Sequence, residues 1–173
     1  MDTRRGRTDR RRFLLIAGLP LLSLGGGMTY LLWPQPYRIP VRTDLEPLAE
    51  RFRPHLGELT AAHWMGYDID EEAGGGRSLP SPDSRIRLVG VARLAPGGAA
   101  AIVSAPGRTF TSAAPSALPH ALEPYLPAAA AWRGSPEFDA YANRETPGPR
   151  PSGTYLFDTA RDLVCFDLLY LHV

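Results

Sequence analysis

The sequence predicts an α+β protein in which a single N-terminal transmembrane helix precedes one small domain with a mostly antiparallel sheet and a C-terminal β-hairpin. Three observations lead to this prediction. The run at 13–33 holds 21 residues and no charged side chain. The stretch at 85–94 alternates apolar and polar residues with the period of a strand. Helix and strand signals follow one another without the regular alternation that a parallel sheet requires.

The run at 13–33 is predicted to be the membrane anchor. At about 1.5 Å per residue, a helix of this length spans roughly 30 Å, the thickness of a bilayer's hydrocarbon core. Residues 1–12 carry six Arg and two Asp, a net charge of +4. Arginine on this flank alone predicts a cytoplasmic N-terminus and an exported remainder. Pro20 and the three glycines at 25–27 predict a bent or loosened span.

A cleaved signal peptide and a buried soluble helix are the alternatives to an anchor. No small-residue cleavage site follows Leu24, and MTYLLW extends the apolar run, which favours the uncleaved anchor. Lipoprotein processing is excluded because the only cysteine is Cys165. The residues RRRFL at 10–14 resemble a twin-arginine export signal, although Asp9 stands where Ser or Thr is usual. A chance match within the arginine-rich stub is the competing interpretation.

The chain divides into a cytoplasmic stub at 1–12, the anchor at 13–33, a proline-rich spacer at 34–43 and an extracytoplasmic α+β domain at 44–173. Beyond residue 33, 13 Arg stand against 16 acidic residues, a net charge of −3. This balance removes the electrostatic basis for nucleic-acid binding. A single cysteine excludes an internal disulfide, and its apolar surroundings predict that Cys165 is buried.

In the first half of the domain, Thr43 or Asp44 is predicted to cap a helix. Its apolar stripe has helical spacing and consists of Leu45, Leu48, Phe52 and Leu56. The segment at 58–69 is ambiguous, with strand character in its second half, and 70–83 is a predicted loop. The strand at 85–94 is expected to turn its even-numbered residues to the core. Its odd-numbered side is polar at both ends and apolar only in the middle, and the arginines of that side are expected to face solvent.

In the second half, Pro96 is predicted to open a short helix through 99–103, and 104–119 is irregular with RTFT as a candidate short strand. A helical stripe interrupted by prolines follows at 119–132. Ser135 and Pro136 are a cap and a first-turn proline, so a helix is expected to begin there. After a loop at 146–153, apolar runs at 154–157 and 163–171 flank a five-residue link, which predicts a β-hairpin.

The candidates for chemistry do not match any established motif. His55, Glu58 and His63 are spaced as H-x-x-E-x-x-x-x-H, which does not place both histidines one turn apart on a helix as a zinc protease requires. The acidic residues at 68–72 precede three glycines but lack the closing carboxylate of a calcium loop. The sequence therefore predicts neither a metal nor a cofactor.

Three arginines on the odd-numbered side of the predicted strand are the candidate binding residues: Arg85, Arg87 and Arg93. On one strand face, with Arg108 nearby, they would meet an anionic polymer or a lipid headgroup. The competing interpretation is that charge on an exposed strand keeps the sheet soluble.

Two stretches, SPDSRIRLVGVARLAPG at 81–97 and WRGSPEFDAY at 132–141, resemble small membrane-anchored actinobacterial proteins of unknown function. This resemblance implies no activity. We expect a non-enzymatic binding or accessory module of the cell envelope, with the membrane as one partner through 13–33 and an envelope protein or anionic envelope component as another. The alternative is an extracytoplasmic hydrolase that uses acidic and histidine residues at 55–72, with His55, Glu58, His63 and Asp68 in one pocket.

Overall fold

The computed structural model of the protein describes residues 39–69 and 84–171. These residues belong to a unit that begins at Ile39. The predicted stub, the predicted anchor at 13–33 and the whole predicted loop at 70–83 lie outside the described residues. None of the helices in the described ranges is long and apolar enough to cross a bilayer. The anchor therefore stays a prediction.

Six strands of the described chain form one antiparallel sheet in the order β1-β2-β6-β5-β4-β3. Their bounds are β1 Leu59–Asp68, β2 Arg85–Leu94, β3 Thr111–Ser112, β4 Arg133–Gly134, β5 Ser152–Asp158 and β6 Leu163–Leu171. The helices are α1 Glu46–Leu56, α2 Gly98–Val103 and α3 Pro136–Glu145, with a 3-10 helix, η1, at His120–Tyr125. The α+β class and the mainly antiparallel sheet are confirmed. The predicted hairpin is also present, since β5 pairs directly with β6.

One face of the sheet, here called the helical face, is covered by α1 and α3. Leu48, Phe52 and Leu56 of the predicted stripe are at most 4% exposed and pack on the even-numbered residues of β2 and β6. The predicted cap of α3 is confirmed, because the Ser135 hydroxyl accepts a hydrogen bond from the Phe138 amide at 3.3 Å. The predicted cap of α1 is wrong. Leu45 occupies that position without any side-chain hydrogen bond.

The other face, here called the loop face, is covered as well over the middle of β2. The expectation of a solvent-facing odd-numbered side holds for Arg85 and Arg93, which are exposed, but Arg87 is half-buried and the two valines between the arginines are buried. Val89 and Val91 are 0% and 4% exposed. They lie under apolar side chains from the segment at 118–126, namely Leu118, Leu122 and Leu126. Only η1 is regular in this cover, in place of the predicted helical stripe at 119–132. Prolines 124 and 127 lack an amide hydrogen, which is unfavourable to a longer helix.

Residues 39–43, the end of the predicted spacer, lie along the outer edge of β1. The Arg42 amide donates to the Trp64 carbonyl at 2.8 Å, and the Trp64 amide donates to the Arg42 carbonyl at 3.0 Å. Ile39 and Val41 pack against Met65, Tyr67 and Val89 on the loop face. This segment therefore contributes both backbone pairing and apolar contacts to the domain.

Candidate ligand-binding pocket

Arg87, one of the three predicted binding residues, is held in an ion pair within the loop face. Its Nε and Nη2 atoms donate to the two carboxylate oxygens of Asp167 at 2.9 and 2.8 Å, and Nη1 donates to the Tyr67 hydroxyl at 3.2 Å. Burial opposes the charge of Asp167, but the hydrogen bonds from Arg87 and Ser116 lower its pKa overall. All three nitrogens of this guanidinium thus donate to groups of the protein.

Arg85 and Arg93 lie at opposite ends of β2, and both residues are exposed. Eight steps along the strand, at about 3.3 Å each, place them about 26 Å apart. Arg108 is on the helical face, where its Cζ atom lies 4.1 Å from the centre of the Tyr141 ring. The arginines therefore do not surround one small-molecule site, and a ligand that contacts both Arg85 and Arg93 must be extended. Binding by these residues stays a prediction.

The four side chains required by the hydrolase hypothesis are not brought together. His55 is buried on the helical face with its ring 5.5 Å from that of Tyr155. His63 is on the loop face and stacks on Tyr125 at 3.8 Å. Glu58 is exposed before β1 begins, and Asp68 is the last residue of that strand. No cluster of three metal-binding side chains occurs within 39–69 or 84–171.

A pocket of about 380 Å³ opens on the helical face. We call it the Trp64 pocket. Residues from α1, β1, β2, β6 and the turns beside them line it: Arg42, Pro47, Leu48, Arg51, Trp64, Gly66, Ile86, Leu88, Pro149 and Tyr170. Its size lies in the range of small-molecule sites, which are mainly apolar with a few polar groups.

The pocket depends on two glycines of neighbouring strands. Gly66 faces it without a side chain, and a Cβ atom there would lie 3.3 Å from the Trp64 ring and 3.7 Å from Leu88. Gly90 is paired with Trp64 across the sheet, and a Cβ atom on Gly90 would lie only 2.7 Å from the Trp64 Cβ atom. The first glycine therefore leaves the pocket open. Gly90 leaves room for the Trp64 side chain, which a larger residue at position 90 would displace.

The aromatic walls of the pocket each carry a guanidinium group. The Arg42 Cζ atom lies 4.3 Å from the centre of the Trp64 ring, and the Trp64 Nε1 atom donates to the Asp44 carbonyl at 2.9 Å. The Arg51 Cζ atom lies 4.9 Å from the centre of the Tyr170 ring. An arginine stacked on a ring keeps its N–H edge available for a planar anion.

The two guanidinium groups differ in their partners. Arg42 donates from Nε to the Asp44 carboxylate at 3.0 Å, and this contact raises the pKa of Arg42 and lowers that of Asp44. Arg51 has no carboxylate partner within 4 Å among the residues that the structure describes. Arg42, Asp44 and Arg51 together give the pocket a formal charge of +1.

Beside the pocket, the core holds polar atoms without hydrogen-bond partners in the described chain. Both ring nitrogens of His55 and the hydroxyl of Tyr170 are in this group. Burial lowers the pKa of His55 to about 4 and raises that of the Tyr155 hydroxyl. His55 is therefore neutral at pH 7 and makes no ionic contact there.

A second, smaller cavity of about 180 Å³ on the loop face brings two of the predicted residues together. His63 and Arg93 line it with Tyr125 and Arg161. The Arg93 Nη1 atom donates to the Arg161 carbonyl at 3.2 Å, and the Arg161 Nη1 atom donates to Asp158 at 2.7 Å. From the sequence, His63 belongs to the hydrolase hypothesis and Arg93 to the binding hypothesis. In the sheet, His63 pairs with Val91 of β2, which lies on the same side of that strand as Arg93, so the two residues share a face.

Sequence reasoning missed the Trp64 pocket. The helical spacing at 45–56 marks only apolar residues and not Arg51, and the strand character of 58–69 does not distinguish Trp64 as a pocket wall. Comparison of the chain with family models, curated proteins and solved structures finds no match in any of the three. The geometry of the pocket is thus the basis on which a function can be argued.

Proposed function

We propose that this protein is a single-pass membrane protein whose extracytoplasmic domain binds a small molecule in the Trp64 pocket, as a binding or accessory module of the cell envelope. The observation that carries binding is the pocket itself, with two aromatic walls, an apolar floor and an arginine without an ionic partner among the described residues. The run at 13–33 and the six arginines before it support the anchor.

The lining favours binding over catalysis at this site. Enzymes act through nucleophiles and general bases such as Ser, Cys, His, Asp and Glu. Of the described residues that line the Trp64 pocket, only Tyr170 has a side chain that can transfer a proton, and its hydroxyl has no hydrogen-bond partner that could act as a base in the described chain. Arginine, tryptophan and tyrosine instead are residue types that concentrate binding energy in recognition sites.

The topology is tested by labelling introduced cysteines in intact cells. Cys165 is buried, and burial raises its pKa to about 12, so this thiol gives little background. Ala128→Cys places a thiol at an exposed position of the loop face, and Thr3→Cys places one in the predicted cytoplasmic stub. A membrane-impermeant maleimide is expected to label Ala128→Cys in intact cells and Thr3→Cys only after lysis.

The reverse labelling pattern would contradict the orientation. Release of the chain from membranes by alkaline carbonate would contradict the uncleaved anchor, because that treatment extracts proteins that lack a span.

Ligand binding is tested through Trp64 fluorescence. The chain has three tryptophans, so the double substitution Trp33→Phe and Trp132→Phe leaves Trp64 as the sole reporter. A ligand in the pocket contacts the Trp64 ring and is expected to change its emission in the full chain in lipid nanodiscs. Gly66→Leu, which fills the pocket, is expected to abolish that change.

A further inference from the structure

We propose that the ligand of the Trp64 pocket is a small amphipathic carboxylate, in which one anionic head is joined to a compact apolar body. This inference rests on the proposed binding function and adds the chemical class of the ligand. It follows from the charge of the pocket, the donors that are available there and the separation of polar from apolar lining.

The charge of the pocket favours a monoanion. Two guanidinium groups line it, and Asp44 neutralises one of them. A carboxylate brings the remaining formal charge of +1 to zero. A phosphate monoester carries about −1.5 to −2 at pH 7 and would leave excess negative charge.

The available donors are those of Arg51. Arg51 is half-buried, and its guanidinium packs against the Tyr170 ring, which restricts its orientation. It has no ion pair with any residue in the described ranges. Planar guanidinium groups bind carboxylates through two parallel N–H···O bonds, and such charge-assisted bonds are stronger than neutral ones. Arg51 is therefore the anchor for the carboxylate.

The rest of the lining fits an apolar body. Leu48, Leu88 and Trp64 are at most 7% exposed. Their side chains present apolar surface and no atom that could accept a hydrogen bond from a ligand. Gly66 leaves open the space that a side chain would fill. An apolar group placed there loses contact with water, whereas a second polar group would lose hydrogen bonds to water without replacement. The body of the ligand is therefore apolar.

The test uses three ligands of the same shape and different charge: 4-phenylbutyrate, 4-phenylbutanamide and 4-phenylbutylamine. Binding to the full chain in nanodiscs is followed by Trp64 emission in the variant that retains only this tryptophan. The carboxylate is expected to bind at least tenfold more tightly than the amide, and the amine is expected not to bind. This order reflects a charge-assisted pair worth roughly a factor of ten or more.

Matched arginines of one helix provide the control. Arg51→Gln is expected to weaken binding of 4-phenylbutyrate at least tenfold and to leave the amide unchanged. Arg53→Gln removes the same charge from an exposed position of α1 outside the pocket and is expected to change binding less than twofold. Because both substitutions replace partly or fully exposed side chains, both variants retain the fold, which circular dichroism verifies.

The outcomes separate the two proposals. Equal binding of the carboxylate and the amide, abolished by Gly66→Leu, would overturn the anionic class and leave the binding function standing. Binding of the carboxylate that is equally sensitive to Arg53→Gln would also overturn it, since the effect would then arise from overall charge. No response of Trp64 to any of the three ligands would overturn both.

Discussion

His55 shows what a single buried polar side chain contributes to this domain. Its ring lies between Phe52 and Tyr155, and neither of its nitrogens has a hydrogen-bond partner in the described chain. A buried polar group without a partner lowers stability by about 1–3 kcal/mol. We therefore expect that stability is not the reason for a histidine at this position.

The first prediction concerns the pH dependence of stability. Burial lowers the pKa of His55 from 6.5 to about 4, so the unfolded chain binds a proton that the folded chain does not between these values. Stability is lost as the pH falls from 6.5 towards 4, by about 3 kcal/mol from this group. His55→Leu is expected to be more stable at pH 7 and to lose less stability in this window, as measured by urea denaturation.

Asp139 has the opposite effect on the pH dependence of stability, so its contribution must be the same in the two proteins that are compared. Burial raises its pKa to about 6, so the folded chain binds a proton that the unfolded chain does not between 3.8 and 6. The comparison is therefore between wild type and His55→Leu at each pH. His120→Gln, whose side chain is 96% exposed, is the control and should match wild type. Parallel pH curves for wild type and His55→Leu would contradict the assignment.

The second prediction concerns the ion pair between Arg87 and Asp167, whose side chains are 25% and 23% exposed. Arg87→Met leaves the Asp167 carboxylate in the loop face with only Ser116 as a donor among these side chains. We expect a loss of about 2 kcal/mol in the free energy of unfolding, because a charge without its partner is costly when partly buried.

An exposed pair is the matched control. Arg144 and Glu145 approach within 3.7 Å with side chains 63% and 46% exposed. Glu145→Gln is expected to change stability by less than about 0.5 kcal/mol. If Arg87→Met costs no more than this control, the pair is not a stabilising element and Arg87 becomes available again as a binding residue.

At the scale of secondary-structure elements, the contact between β1 and β2 depends on one position without a side chain. A Cβ atom on Gly90 would lie 2.5 Å from the His63 carbonyl oxygen and 2.7 Å from the Trp64 Cβ atom. Neither group can move alone, because the first is backbone and the second is fixed to it. The approach of the two strands at the pocket therefore requires glycine.

The third prediction follows from this contact. Gly90→Ala is expected to destabilise the domain by about 3 kcal/mol and to shift Trp64 emission, since the tryptophan must move. Gly107→Ala is the control. It has φ +80° and nothing within 4 Å of an added Cβ atom, so only a backbone cost of about 1 kcal/mol is expected. Equal effects of both substitutions would contradict a steric role for Gly90.

Periodicity predicted those elements whose burial follows a regular pattern. The stripe of α1, the alternation of β2 and the hairpin of β5 and β6 could be predicted because apolar residues recur at fixed spacing. The cover of the loop face could not, because Leu118, Leu122 and Leu126 contribute to the core from a proline-rich segment with little regular hydrogen bonding. Without this cover, β2 was expected to have a solvated side.

At the scale of the whole molecule, the Trp64 pocket depends on strand order. Tyr170 of β6 reaches it because β6 lies next to β2, and Arg51 reaches it from α1. No local sequence pattern predicts that β6 lies between β2 and β5 in the sheet. The residue types were visible in the sequence, but their convergence from several elements was not.

The fourth prediction concerns the distribution of stability over the sheet. Strand β6 pairs with β2 on one side and β5 on the other, and Val164, Phe166 and Leu168 are fully buried. Their amides are expected to exchange with deuterium most slowly, through global unfolding only. Amides of the two-residue strand β3, paired only with β4, should exchange faster. Comparable rates in β3 and β6 would contradict this order.

The central place of β6 also bears on the proposed export of the domain across a membrane. Of the sheet's strands in the described chain, β6 is the last to be synthesised. Both β2 and β5 pair with β6, so neither pairing can form until β6 has been made. At about 5–20 residues per second, the apolar faces of the earlier strands stay open for seconds. A chain that is exported unfolded during its synthesis can therefore complete the sheet only outside the cytoplasm. Export by the twin-arginine route would instead require that β6 is already paired in the cytoplasm.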